Sequence, residues 1–98
     1  MKSKTGLTPE QTAQLSLILK KLGADEIILF GSRAKGNHRP GSDIDIALKG
    51  KNLDSSLLTQ MESEYQKLYF PWKLDLVIYD TIKNKNLRDH IDRVGIRL

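Results

Sequence analysis

Cysteine is absent from this 98-residue chain, which excludes disulfides and thiolate zinc sites and fits a reducing compartment, with the cytoplasm as the expected location. No apolar run approaches the roughly 20 residues of a membrane-spanning helix, so no membrane role is expected. The opening stretch, Met1-Lys2-Ser3-Lys4-Thr5-Gly6, has lysines but no apolar segment behind them, unlike a secretory signal. Runs of five or six like charges are missing as well. The formal charge of +4 (16 Lys+Arg against 12 Asp+Glu) is spread thinly, densest at Lys20-Lys21, Arg33 with Lys35, and Lys83 with Lys85. So modest a field suits a polyphosphate or an acidic partner as well as RNA, and alone it indicates no more than solubility. Repeats, low-complexity tracts and internal linkers are also lacking. One domain over residues 1–98 is expected, near the lower end of what folds alone.

With 39% hydrophobic and 29% charged residues, the composition is that of a globular rather than a disordered chain. Thr8-Pro9-Glu10-Gln11 reads as a helix start, with Thr8 and Gln11 as a capping box and Pro9 at the first helical position. Leu15, Ile18, Leu19 and Leu22 make its apolar stripe, and Gly23 is its stop. Glu26–Phe30 is a short unbroken apolar run, the mark of a strand covered on both faces. It ends at Gly31-Ser32, with room for one helical turn before Gly36. Loop formers fill Asn37 to Ser42, and a second strand is expected from Asp43 to Leu48.

A helix is expected from Asp54 to Tyr69, capped by Asn52 or Asp54, with Leu57, Leu58, Met61, Tyr65, Leu68 and Tyr69 on one face and Pro71 forbidding its continuation. A third strand, Lys73 to Tyr79, puts Leu74, Leu76 and Ile78 on one face and Asp75, Val77 and Tyr79 on the other. Asn84 or Asn86 opens a last helix carrying Leu87, Ile91 and Val94. The order helix, strand, turn, strand, helix, strand, helix predicts an α/β sandwich with a small sheet. Phe70 and Trp72 are expected in core or rim packing, with base stacking as the alternative, Tyr65 and Tyr69 in the core, and His38 as a solvated loop residue rather than a ligand or base. Lys83, Lys85, Arg88 and Arg93 read as a solvated face, with an acidic partner or RNA as the alternative.

The chemistry-bearing stretch is Gly31-Ser32, ten residues, then Asp43-Ile44-Asp45. Alternate strand positions point the same way, so Asp43 and Asp45 lie on one face a few ångströms apart. Like charges that close raise each other's pKa unless a cation intervenes, and carboxylate oxygens suit hard Mg²⁺. Asp75 has the parity to join them if the second and third strands are neighbours. Three such acids can orient an attacking oxygen and neutralise a leaving pyrophosphate. Gly31 lets a phosphate approach the backbone, and Ser32 offers a hydroxyl and a free amide at the start of a helical turn. Arg33 and Lys35 could balance triphosphate charge. Phosphoryl transfer needs little beyond positioning and charge neutralisation.

Gly31-Ser32, the ten-residue gap, Asp43-x-Asp45 and the later Leu74-Asp75-Leu76 together resemble the signature of the DNA polymerase beta nucleotidyltransferase superfamily. The form Gly31-Ser32-Arg33-Ala34-Lys35-Gly36 and the closing His90-Ile91-Asp92-Arg93-Val94-Gly95 resemble its minimal nucleotidyltransferase (MNT) branch, from Leu15 onward. The resemblance implies a small mixed sheet with flanking helices, Mg²⁺ dependence (two ions expected) and transfer of a nucleoside monophosphate from a nucleoside triphosphate, with ATP expected. It implies Asp43 and Asp45 as metal ligands, Asp75 as third acid and metal ligand, and Gly31 and Ser32, with Arg33 less firmly, as triphosphate-binding residues. MNT proteins pair with small helical partners, often of the HEPN class, in toxin–antitoxin systems, and some adenylylate a tyrosine of the toxin. An antitoxin acting on a partner protein is therefore the leading expectation. The acceptor platform would come from that partner or from a second copy of this chain, and nucleic acid is not expected as the primary substrate. Two alternatives stand beside it: a module that neutralises its partner by docking alone, and a small-molecule nucleotidyltransferase. No residue is singled out for reading the base.

Overall fold

Thr8 opens the first helix by accepting from the Gln11 N–H at 3.1 Å, while Gln11 Oε1 accepts from the Thr8 N–H at 2.9 Å. Both halves of the expected capping box are thus formed, a device that adds about 1 kcal/mol of helix stability. The computed structural model describes residues 4–98; the part of the leader reading that falls on Met1, Lys2 and Ser3 lies outside the described residues.

Helix α1 (Pro9–Leu22) ends at Gly23, as expected. Strand β1 (Glu26–Phe30) runs into the short helix α2 (Gly31–Lys35), closed by Gly36. Strand β2 is Ile44–Lys49, one residue later at each end than expected. Helix α3 (Ser55–Gln66) is capped by Asp54, whose side chain accepts from the Leu57 N–H at 2.8 Å. Strand β3 (Leu74–Ile78) is one residue shorter at each end than expected, because Tyr79 opens a 3-10 turn over Tyr79–Thr81. Helix α4 (Lys85–Val94) is capped by Asn84, and a two-residue strand β4 (Ile96–Arg97), which the sequence did not announce, closes the order.

The four strands lie in the order β3-β2-β1-β4. Strand β2 is antiparallel to β1 and parallel to β3, and β4 is antiparallel to β1, so the sheet is mixed. One face presents Ile27, Leu29, Ile44, Ile46, Leu48, Leu74 and Leu76 to Leu15 and Leu19 of α1 and to Met61 and Tyr65 of α3. The opposite face presents Ile28, Phe30 and Ala47 to Ile91 of α4, with Val77, Leu87 and Ile82 at its margin. Both faces of β1 are therefore covered, as its unbroken apolar run requires. Among the described residues, no helix is long and apolar enough to cross a membrane.

Two aromatic expectations separate here. Tyr65 is buried, and its hydroxyl donates to the Trp72 carbonyl oxygen at 2.6 Å. Tyr69, expected beside it in the core, is instead 90% exposed at φ 56°. Helix α3 stops at Gln66, so the helical spacing that would have carried Tyr69 inward no longer applies.

Candidate active site

The register of the sheet fixes the site. Phe30 pairs with Asp45 across β1 and β2, and Asp45 pairs with Asp75 across β2 and β3. Side chains at paired positions share a face, so the two carboxylates lie in one row on the α4 side of the sheet. The odd-even pattern that puts Leu74 and Leu76 into the core turns Asp75 out, and it is exposed. Asp43 is exposed one residue before β2, within electrostatic reach of Asp45.

Asp45 is the shared member. Its partial burial raises its pKa above the ordinary carboxylate value, the charge of Asp75 raises it further, and that of Asp43 adds to both; Arg33 opposes them. Gly31 meets the same carboxylate from the end of β1. Its φ of 75° is left-handed, and a Cβ there would collide with Asp45 Oδ2. Glycine is thus required twice at this corner, for its backbone conformation and for the clearance of Asp45. Ser32 follows, half-buried in the first turn of α2. The structure brings Gly31, Asp45 and Asp75 to one end of one sheet face, with Ser32 and Asp43 at its edges. Among the described residues, no three His, Asp or Glu side chains close into a set that could hold an ion as they stand. The donor chemistry nevertheless fits a hard divalent cation: the donors are carboxylate oxygens, and the like-charge pressure on Asp45 is what such an ion relieves.

Arg33 corrects an expectation. It was expected beside a triphosphate, but only 1% of it is exposed. Its Nε–H and Nη2–H donate to the Ser42 carbonyl oxygen at 3.2 and 2.8 Å, and Nη1–H donates to the Thr5 carbonyl oxygen at 2.9 Å. The Trp72 ring lies 4.6 Å from the guanidinium carbon. Burial lowers its pKa, but an arginine stays charged at neutral pH. The guanidinium therefore ties α2 to the residue preceding Asp43 and is not free to meet a phosphate. Trp72 serves as its lid and donates its own Nε1–H to the Pro40 carbonyl oxygen at 3.1 Å. His38, expected in solvent, is partly buried beside Arg33 and Trp72 in a cavity of about 220 Å³, its Nδ1 without a hydrogen-bond partner among the described residues.

One residue of the site carried no local signal. His90 of α4 accepts at Nε2 from the Gly31 N–H, 3.1 Å away and 59 residues apart in the chain. The sequence placed it only within the closing motif, because a contact across that separation depends on how α4 docks on the sheet.

Similarity to known proteins gives the family. Residues 14–98 match the family model described as "Polymerase beta, Nucleotidyltransferase". The chain is 30% identical over 89 residues to a Haemophilus influenzae protein named "Probable protein adenylyltransferase MntA", covering 89% of this chain and 77% of that one. Among solved structures, a toxin–antitoxin with AMP-PNP superposes with a TM-score of 0.73 at 23% identity, over 87% of this chain and 69% of the other. A protein assigned as a minimal nucleotidyltransferase superposes with a TM-score of 0.71 at 23% identity, over 89% and 91%. At such identities the two solved structures speak for the fold alone. The family match over most of the chain and the relative aligned across most of its own length carry the assignment: this chain belongs to the polymerase beta nucleotidyltransferase family, in its minimal branch, and is a nucleotidyltransferase.

Proposed function

We propose that this chain, acting as a single catalytic domain over residues 1–98, transfers AMP from ATP to a hydroxyl group on a partner protein and so serves as the antitoxin of a toxin–antitoxin pair. The observation that carries the reading is the row formed by Asp45 and Asp75 on one sheet face, with Gly31 shaped around the Asp45 carboxylate. The relative named as a protein adenylyltransferase favours AMP and a protein acceptor, and the toxin–antitoxin neighbour favours a separate partner chain. A small helical protein of the HEPN class is the proposed partner, and a second copy of this chain is the other source of an acceptor platform.

In this reading Gly31 and Ser32 receive the triphosphate. Asp43, Asp45 and Asp75 would hold Mg²⁺, which when bound supplies charge neutralisation on the triphosphate and the departing pyrophosphate. Asp75, the exposed acid on the outer strand, faces the acceptor and takes the proton of its hydroxyl. The acceptor oxygen then bonds to the α-phosphorus, the bond from that phosphorus to the pyrophosphate oxygen breaks, and pyrophosphate leaves. Arg33 contributes by holding α2 against Ser42, not by touching substrate.

The test is incubation with the purified partner, Mg²⁺ and ATP labelled at the α-phosphate. Label is expected on the partner with wild-type protein and on nothing with Asp43→Ala, which removes an exposed carboxylate and spares the fold. Neutralisation of the partner by an Asp43→Ala, Asp45→Ala double variant, as complete as by wild type, would show docking to be the activity.

A further inference from the structure

The imidazole of His90, which lies outside the aspartate row, hydrogen-bonds the glycine of the proposed phosphate corner. Its Nε2 accepts from the Gly31 N–H at 3.1 Å, and its ring meets Phe30 edge-on, centroids 6.2 Å apart with the planes at 80°. Only an unprotonated Nε2 can accept, so the neutral ring carries its hydrogen on Nδ1. The helix that presents it is anchored: neighbouring Ile91 is buried against Ile28, Phe30 and Ala47, and Asn84 caps the first turn. His90 therefore approaches Gly31 from a rigid element rather than from a loop.

The contact matters because of where the bonded amide sits. The first N–H groups of a helix have no partner within it, and at a phosphate corner their directions decide what an anion meets. Holding the Gly31 N–H orients the Phe30–Gly31 peptide plane, which leads directly into the left-handed Gly31 residue that gives Asp45 its clearance. One hydrogen bond from α4 thus sets the relation between the corner and the aspartate row. We propose that His90 is a positioning residue for nucleotide binding, its Nε2 holding the Gly31 amide so that the corner is pre-shaped for the triphosphate. The proposal rests on the reading that Gly31 and Ser32 receive that group.

Two variants separate the acceptor from the ring. His90→Phe keeps an aromatic edge on Phe30 but has no acceptor, whereas His90→Gln offers an oxygen at comparable reach without the ring. The expected result is a rise of about tenfold in KM for the nucleoside triphosphate, and in Kd for a non-hydrolysable analogue, in His90→Phe, with kcat changed by less than about twofold. His90→Gln is expected within about threefold of wild type on both measures. Long-range ¹H–¹⁵N spectra of the wild type should show the Nδ1–H form of His90 and slowed exchange of the Gly31 amide. Normal binding by His90→Phe with impaired binding by His90→Gln would assign His90 to packing and overturn the proposal. So would losses that follow the melting temperatures of the two variants. A wild-type protein that binds no nucleoside triphosphate would instead overturn the nucleotide reading of the corner, and this proposal with it.

Discussion

Asp45 and Asp75 stand opposite each other in register on parallel neighbours, and the partial burial of Asp45, followed by the charge of Asp75, raises the Asp45 pKa. The folded protein therefore holds the Asp45 proton more tightly than the unfolded chain does. The corresponding stability is fully present below the ordinary value of 3.8 and is lost as pH rises through the elevated folded value. At neutral pH the ionised carboxylate works against the metal-free fold. Asp45→Asn should melt a few degrees above wild type at pH 7 in chelator, and the gap should close toward acid pH. Mg²⁺ with a non-hydrolysable nucleoside triphosphate should raise the melting temperature of wild type and leave Asp45→Asn unmoved. Calorimetry with and without chelator reads both effects; a variant less stable than wild type throughout the range contradicts the account.

Gly31→Ala should cost about 1–2 kcal/mol of stability from its left-handed backbone, with a further cost from the encounter with Asp45 Oδ2. Adding Asp45→Ala removes the encounter but not the backbone strain. The double variant should therefore be more stable than the sum of the two single changes predicts, which denaturant titration of the four proteins measures. Strict additivity would mean that the two groups do not meet.

Arg33→Met should destabilise by about 3 kcal/mol, since it removes the three hydrogen bonds that the buried guanidinium donates to the Ser42 and Thr5 carbonyl oxygens. Arg33→Lys should recover little, because an ammonium cannot reproduce the planar fork. A side chain that only bound triphosphate would behave otherwise, raising KM with the melting temperature unchanged.

Tyr65 gives an alkaline signature. Burial, partly opposed by Arg33, pushes its hydroxyl up to about 12 from 10.0. The group's contribution is complete below the unfolded value near 10.0 and is lost as pH rises through about 12, so stability should fall across that window. Tyr65→Phe should flatten the fall, at a cost of about 1 kcal/mol at neutral pH for the lost bond to the Trp72 carbonyl oxygen. Urea denaturation of both proteins at stepped alkaline pH checks it.

Sequence reading succeeded where one local force dominates. Thr8 and Gln11 are a self-contained cap, the unbroken Ile27–Phe30 run demands cover on both sides, and alternation through Asp75 sets which side chains share a face. It failed where tertiary packing decides. Strand β4 is too short to show a period, and it exists because β1 offers an edge at Ile28 and Leu29. Tyr69 follows the helical spacing but lies beyond the helix. Arg33 has the charge a phosphate needs, and only its burial beneath Trp72 shows that the charge serves two backbone carbonyls instead. The tie from His90 to Gly31 depends on the docking of α4, which no local pattern encodes.

The alternation along β3 has one more implication. Leu74 and Leu76 point inward because Asp75 points outward, so a slip of one residue against β2 would bury the acid and expose both leucines. A misthreaded molecule would then strand a carboxylate in oil and show a greasy edge to water. Such a register loses on both counts, so the apolar pattern of the strand also sets the aim of the acid.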